Sequence, residues 1–307
     1  MGSSTRAVGL AAFFTLMLIA LMMGANHVAA RLAFSGGMDV ATGVAVRSWV
    51  TAAVVAGVVW WAKVPWRADA GQRKGLLMVG LAIGFQSQCL YSSVARLPVA
   101  LALLGFNTYP LWTALWDRVL YGRRTERAVL QAMPVILLGL ALALDVSGAS
   151  SGLGAIDQWQ QMGVGVAFAL GAAAVFGLAL VWTQHETQGM DGRVRTIGSM
   201  VLSGMVALTV IAGQGGPHWP HTALGWVGLA ALTFLYGTAF TIMFTVLPKL
   251  GVSGHSALMN VEPVFALGLA WVVLDQRIAP IQIVGALLVV GAVIALGLRQ
   301  HGTIRPQ

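Results

Sequence analysis

The sequence predicts an all-α integral membrane protein, with ten transmembrane helices arranged as two inverted five-helix repeats around a central cavity. Three observations predict it: an apolar composition, a one-sided distribution of basic residues, and an internal repeat. Hydrophobic residues make up 58% of the 307 positions and charged residues 9%, against about 25% charged in soluble domains. So few charges cannot coat a globule of this size, whereas lipid solvates the same apolar surface. The 38 glycines fit helices that approach closely in a bilayer.

A hydrocarbon core about 30 Å thick takes about 20 apolar residues per helix. Runs of that kind lie near 8–31, 41–62, 75–95, 98–120, 128–147, 162–183, 196–214, 222–246, 252–274 and 280–298. The first is too long for a signal-peptide core and has no small-residue cleavage site, so it is read as a retained span. Asn26 and His27 interrupt it. Arg47 opens the second span near the outer surface, where it either snorkels to headgroups or attracts a carboxylate. In the third, Gly80-x-x-x-Gly84 fits a close helix contact. Gln86, Gln88 and Tyr91 interrupt the same span; Gln88 and Tyr91, three apart, share a face that lines a cavity or bonds a neighbouring helix. Trp60, Trp61, Trp66, Trp159, Trp219 and Trp226 lie near span ends, as an interfacial belt does.

Lys and Arg set orientation. With both termini cytoplasmic, 14 basic residues fall inside (among them Lys63, Arg73, Lys74, Arg118, Arg123, Arg193 and Lys249) and 4 outside: Arg31, Arg47, Arg96 and Arg277. The net charge of +8 is therefore topological. No basic stripe with interleaved aromatics occurs, and no nucleic-acid partner is expected.

Sliding the sequence by 153 residues places Asn107-Thr108-Tyr109-Pro110 on Asn260-Val261-Glu262-Pro263, Gly24 on Gly177, and Leu97 on Leu250. Residues 1–150 and 151–307 are thus two repeats of five spans each. An odd number of crossings makes the two enter the membrane in opposite senses, the pattern of secondary transporters with a midplane site. Pro110 and Pro263 each remove an N–H and clash with the preceding turn, so a kink is expected at each, usable as a hinge. Asn107 and Asn260, one turn earlier, either satisfy the freed backbone or face a ligand. Glu262, about ten residues into its span, is the clearest functional candidate, because a charge in the bilayer interior needs a cavity or a partner. It either binds a substrate amine or a proton, or fixes helix packing.

The repeats also resemble a known family. Ala95-Arg96-Leu97-Pro98-Val99-Ala100, leading to Tyr109-Pro110, looks like the first EamA repeat of the drug/metabolite transporter superfamily. Val261-Glu262-Pro263-Val264-Phe265-Ala266, with Leu274-Asp275 and Gln282-Ile283-Val284-Gly285, looks like the second. Met23-Gly24-Ala25-Asn26 and Arg47 resemble it too. Two positions depart from the pattern: Gly122-Arg123-Arg124 replaces an acidic residue after the fourth span, and Asp275 stands for Glu after the ninth. The resemblance implies ten helices around a cavity and export or exchange of small metabolites, often amino acids.

The expected function is accordingly a secondary transporter, an exporter or facilitator of a small polar or amphipathic metabolite, plausibly an amino acid, working by alternating access. Its site is expected to draw on Glu262, Asn260, Asn107, Tyr109, Asn26, Gln86, Tyr91 and Arg47, with Pro110 and Pro263 as hinges. Partners are the substrate and the bilayer, joined by protons where transport is coupled rather than facilitated. The alternative is an intramembrane enzyme or lipid-handling protein, which calls for a catalytic cluster near one interface; scattered single polar residues occur instead. No P-loop, His-Glu-x-x-His or Gly-x-Ser-x-Gly is present, and the single Cys89 excludes a multi-cysteine metal site. No catalytic residue, metal ligand or cofactor is expected.

Overall fold

In the computed structural model every described element is a helix. Residues 2–66, 68–123, 127–144, 155–246, 261–276 and 279–302 are described. The order is α1 (Gly2–Ser35), α2 (Val40–Trp61), α3 (Ala70–Val94), α4 (Val99–Phe106), α5 (Tyr109–Tyr121), α6 (Arg127–Ala143), α7 (Ala155–Glu186), α8 (Gly192–Gly213), α9 (Ala223–Thr245), α10 (Glu262–Leu274) and α11 (Pro280–Gly302). Six contain stretches long and apolar enough to cross a membrane: Ala11–Ser35, Val40–Trp61, Ala70–Val94, Met162–Glu186, Gly192–Gly213 and Ala223–Met243. Shorter apolar stretches occupy Leu130–Ala143, Glu262–Leu274 and Pro280–Ala295.

Short polar caps start the helices. Asp69 accepts from Gln72 N at 2.7 Å while Gln72 Oε1 accepts from Asp69 N at 3.1 Å, a capping box that satisfies two orphan donors. Asp39 caps α2 through Thr42 N, Asp191 caps α8 through Arg193 N, and Thr222 caps α9 through Gly225 N. After α5 and after α10 the chain stops in the left-handed region, at Gly122 (φ 66°) and Asp275 (φ 50°).

The expected fourth span, 98–120, is divided. α4 ends at Phe106, Asn107 and Thr108 form a turn in which the Thr108 hydroxyl donates to Gly105 O (2.8 Å), and α5 begins at Tyr109. Pro110 therefore lies in the first turn of a new helix, where its missing N–H has no partner to lose. Pro263 occupies the same place in α10. The preceding half of the expected ninth span, including Asn260, lies outside the described residues.

Helices of the two halves start in step. Gly2 and Ala155, Ala70 and Ala223, Tyr109 and Glu262, and Arg127 and Pro280 are each 153 residues apart, and Val40 and Gly192 are 152 apart. Packing follows the same correspondence: α1 lies on α9 and α10, α7 on α3 and α5, α2 on α8, and α6 on α11. A Cβ added at Gly24 would stand 3.0 Å from Ala266 N, and one at Gly177 would stand 2.7 Å from Thr113 N. Both pairs obey the 153-residue offset, since 266 less 113 is also 153. The Gly80-x-x-x-Gly84 face is a close contact: the two glycines sit against Leu202 and Val206 of α8.

The core gathers around α4, buried along nearly its whole length. Leu101, Leu103 and Leu104 join Val44, Ile136, Ala172, Leu232, Ala266 and Val289 in one cluster. Large apolar side chains also point outward, among them Phe14, Phe85, Phe234, Trp271 and Leu287, as lipid-facing surfaces require. The six tryptophans of the expected belt are all exposed.

Candidate functional site

Five helices bring polar side chains to one buried place. α1 supplies Asn26 and His27, α2 Arg47, α3 Ser87 and Tyr91, α9 Tyr236, and α10 Glu262. All but Glu262 are buried, Asn26 completely; the Glu262 side chain is 21% exposed. The Tyr91 hydroxyl is the hub. It accepts from Asn26 Nδ2 at 2.8 Å and from Arg47 Nη1 at 3.0 Å. Arg47 Nη2 donates to Ser87 Oγ at 3.0 Å. Ser87 and Tyr91 are four apart, hence on one helix face.

Arg47 is the eighth residue of α2 and 2% exposed. The snorkelling reading is therefore corrected: α3 and α9 close over the side chain, through Ser87, Tyr91 and Tyr236. A buried guanidinium costs about 2.5–3.5 kcal/mol on membrane-insertion scales. Two ring faces offset part of this, Tyr236 at 3.9 Å and Tyr91 at 4.8 Å from the guanidinium carbon, each contact contributing about 0.5–2 kcal/mol.

Glu262 meets His27, with Oε1 3.1 Å from Nε2. The pair joins α1 of the first half to the first residue of α10 in the second, and the Gly24 contact lets the two backbones approach closely enough. The Glu262 carboxyl also lies within electrostatic reach of the Tyr109 and Tyr236 hydroxyls. Several polar atoms of the cluster have no partner among the described residues: Asn26 Oδ1, His27 Nδ1, Arg47 Nε and, one turn along α2, Thr51 Oγ1. Buried polar atoms are nearly always satisfied, and these four make none of their bonds to the described residues.

The other expected site residues lie elsewhere. Asn107 is buried at the α4–α5 turn. Tyr109 packs its ring against Phe106 (5.7 Å) and Phe176 (5.1 Å), while Gln86 is buried on α3 off the Ser87–Tyr91 face. Ser87, Tyr236 and the partnership of His27 with Glu262 are not among the expected site residues. The four-residue spacing of Ser87 and Tyr91 is the signal that finds the first. No group of three or more metal-ligating side chains occurs among the described residues.

Known proteins share this architecture. A solved crystal structure superposes with a TM-score of 0.60 at 17% identity, covering 94% of this chain and 98% of that one. The threonine/homoserine exporter RhtA of Escherichia coli (strain K12) is 27% identical over 247 residues, 79% of this chain and 77% of that protein. RhtA of Salmonella typhimurium (strain SL1344) is 25% identical over 243 residues, 78% and 76% of the two chains. The EamA-like transporter family matches twice, over residues 10–144 and 163–298, two copies whose starts are again 153 apart. The chain is a multi-pass inner-membrane protein and belongs to the EamA-like transporter family.

Proposed function

We propose that the chain is a secondary transporter that exports an amino acid by alternating access. It crosses the membrane ten times, with α4 and α5 making one crossing and α10 completing another, and with both termini cytoplasmic. The halves, 1–150 and 151–307, are inverted relative to each other and rock about the buried cluster. Pro110 and Pro263 are the hinges. The observation that carries this reading is the His27–Glu262 pair. It spans the two halves inside a buried polar cluster, so a ligand that replaces it uncouples one half from the other.

The cluster suits an amino acid because it offers a carboxylate, free acceptors and a cation within one buried volume. The two relatives are exporters of threonine and homoserine, which makes those two the first substrates to try. Glu262 with His27 accepts the substrate ammonium, or a proton in its absence. Release of one as the other arrives would couple export to proton entry.

The test is transport of radiolabelled threonine and homoserine by the purified protein in liposomes, with and without an imposed pH gradient. Gradient-driven accumulation is expected from the natural protein, and Glu262→Gln is expected to lose the dependence on the gradient. Equal accumulation with and without a gradient sinks the coupling; absence of any amino-acid flux sinks the reading itself.

A further inference from the structure

We propose that the Arg47 guanidinium is an anion subsite that takes the carboxylate of the transported molecule. The proposal rests on the transporter reading above and assigns one end of the substrate to one side chain. Among the described residues the Arg47 fork touches only neutral groups: the Tyr91 hydroxyl, the Ser87 hydroxyl and the faces of Tyr91 and Tyr236. Among the described residues no carboxylate pairs with it. Glu262 is turned to His27, Asp117 to His185, Asp191 to Arg193, and Asp39 caps α2. The stretch 247–260, outside the described residues, contains no Asp or Glu.

Buried charges are paired as a rule, and this one is held by hydroxyls and rings that support a positive charge without cancelling it. Among the described residues two of the five N–H groups of the guanidinium have partners, and Nε has none. The free edge matches a planar oxyanion that accepts two parallel bonds. Tyr91 accepts two hydrogen bonds, which leaves its own proton to donate to the same ligand. Beside it, Asn26 Oδ1 is an unused acceptor, so a carboxylate on Arg47 leaves an ammonium facing Asn26 Oδ1 and Glu262.

The repeat supplies an independent argument. At the 153-residue offset the fold's own requirements recur: Gly24 with Gly177, Asn107 with Asn260, Pro110 with Pro263. The polar cluster does not recur. Asn26, His27, Arg47 and Tyr91 correspond to Ala179, Leu180, Met200 and Phe244. Because α8 starts 152 residues after α2, the place equivalent to Arg47 falls on Ser199 or Met200, both buried and neither charged. Helix packing therefore has no need of a cation there.

The experiment measures melting temperatures of the full-length protein in detergent with matched ligand pairs, since a ligand that binds only the folded state raises stability by mass action. Each pair is a carboxylate (threonine, homoserine, or a 2-hydroxy acid of the same size) and its alcohol or amide. The natural protein is expected to bind the carboxylate member about tenfold or more tightly than its partner, the worth of charge-assisted hydrogen bonds. Arg47→Met is expected to lose that discrimination while melting, without ligand, no lower than the natural protein, because an unpaired buried charge is gone. Arg47→Lys is expected not to restore the discrimination fully, for lack of the planar fork.

The proposal is overturned if the natural protein binds each carboxylate and its alcohol alike, or if Arg47→Met keeps the discrimination. Amino acids binding no better than their alcohols would overturn the subsite and leave the amino-acid reading standing. Hydroxy acids binding through Arg47 while amino acids do not would uphold the subsite and overturn that reading. A panel in which nothing binds overturns both.

Discussion

Single side chains decide what this protein can recognise, and their surroundings decide what a single side chain is. Arg47 illustrates the point. From its own helix it reads as a residue at the mouth of a span, because hydropathy records distance along one segment. Its burial comes from Tyr91 and Tyr236, which reach it from α3 and α9, and no pattern within α2 announces them. Glu262, by contrast, was conspicuous in the sequence as a carboxylate inside an apolar run, although its partner His27 lies 235 residues away. Asp39, outside the spans, makes a pH prediction. Burial alone raises its pKa, but hydrogen bonds from Thr42, the Gln214 side chain and His218 N more than offset this and hold it below the ordinary carboxylate value. A carboxyl with a lowered folded pKa contributes stability above its ordinary titration range, and that contribution is lost as pH falls through the folded value. Melting temperature is therefore expected to drop on acidification below about pH 4, and Asp39→Asn to flatten that drop; an unchanged acid profile in the variant contradicts the assignment.

At the scale of the helix, most of the architecture was legible. Apolar runs located the six long helices because each must present about 20 such residues to lipid. Proline predicted an interruption at Pro110 but not its form. A kink keeps one helix, whereas here the chain turns at Asn107–Thr108 and starts again. Close approach is what the glycines supply, and α11 gives an internal control. A Cβ at Gly285 would lie 2.4 Å from Ala143 N and 2.5 Å from Gly139 O, whereas one at Gly291 meets nothing within 4 Å. Gly285→Ala is expected to destabilise by about 1–3 kcal/mol through overpacking against backbone. Gly291→Ala is expected to leave stability unchanged or raise it by up to about 1 kcal/mol. Thermal melts of the two variants side by side test this, and equal effects would refute the α6–α11 contact. A third substitution, Gly122→Ala, places a Cβ at φ 66° and is expected to cost about 1–2 kcal/mol, with Gly122→Asn costing less.

Across the whole molecule, the 153-residue offset was readable from Asn-x-x-Pro alone, and the helix starts keep to it. What one sequence cannot display is the crossing of partners, in which α10 completes α1 and α5 completes α7. Orientation is a further expectation at this scale. The split of 14 basic residues against 4 predicts both termini in the cytoplasm, which reporter fusions at the N- and C-terminus would check; a periplasmic signal from one end alone refutes ten crossings, and from both ends refutes the orientation.

The Gly24 contact also has a bearing on how the protein is made. The groove on α1 that holds Gly24 is filled by Glu262, Phe265 and Ala266, residues the ribosome adds 238 positions or more after Gly24. Until then, the nascent first half carries Asn26 and His27 into the bilayer beside a vacant helix seat. Assembly of the buried polar cluster is thus a late event, waiting on synthesis of residues 262–266. Truncations that spare every polar residue of the first half would still leave the cluster without its α9 and α10 members.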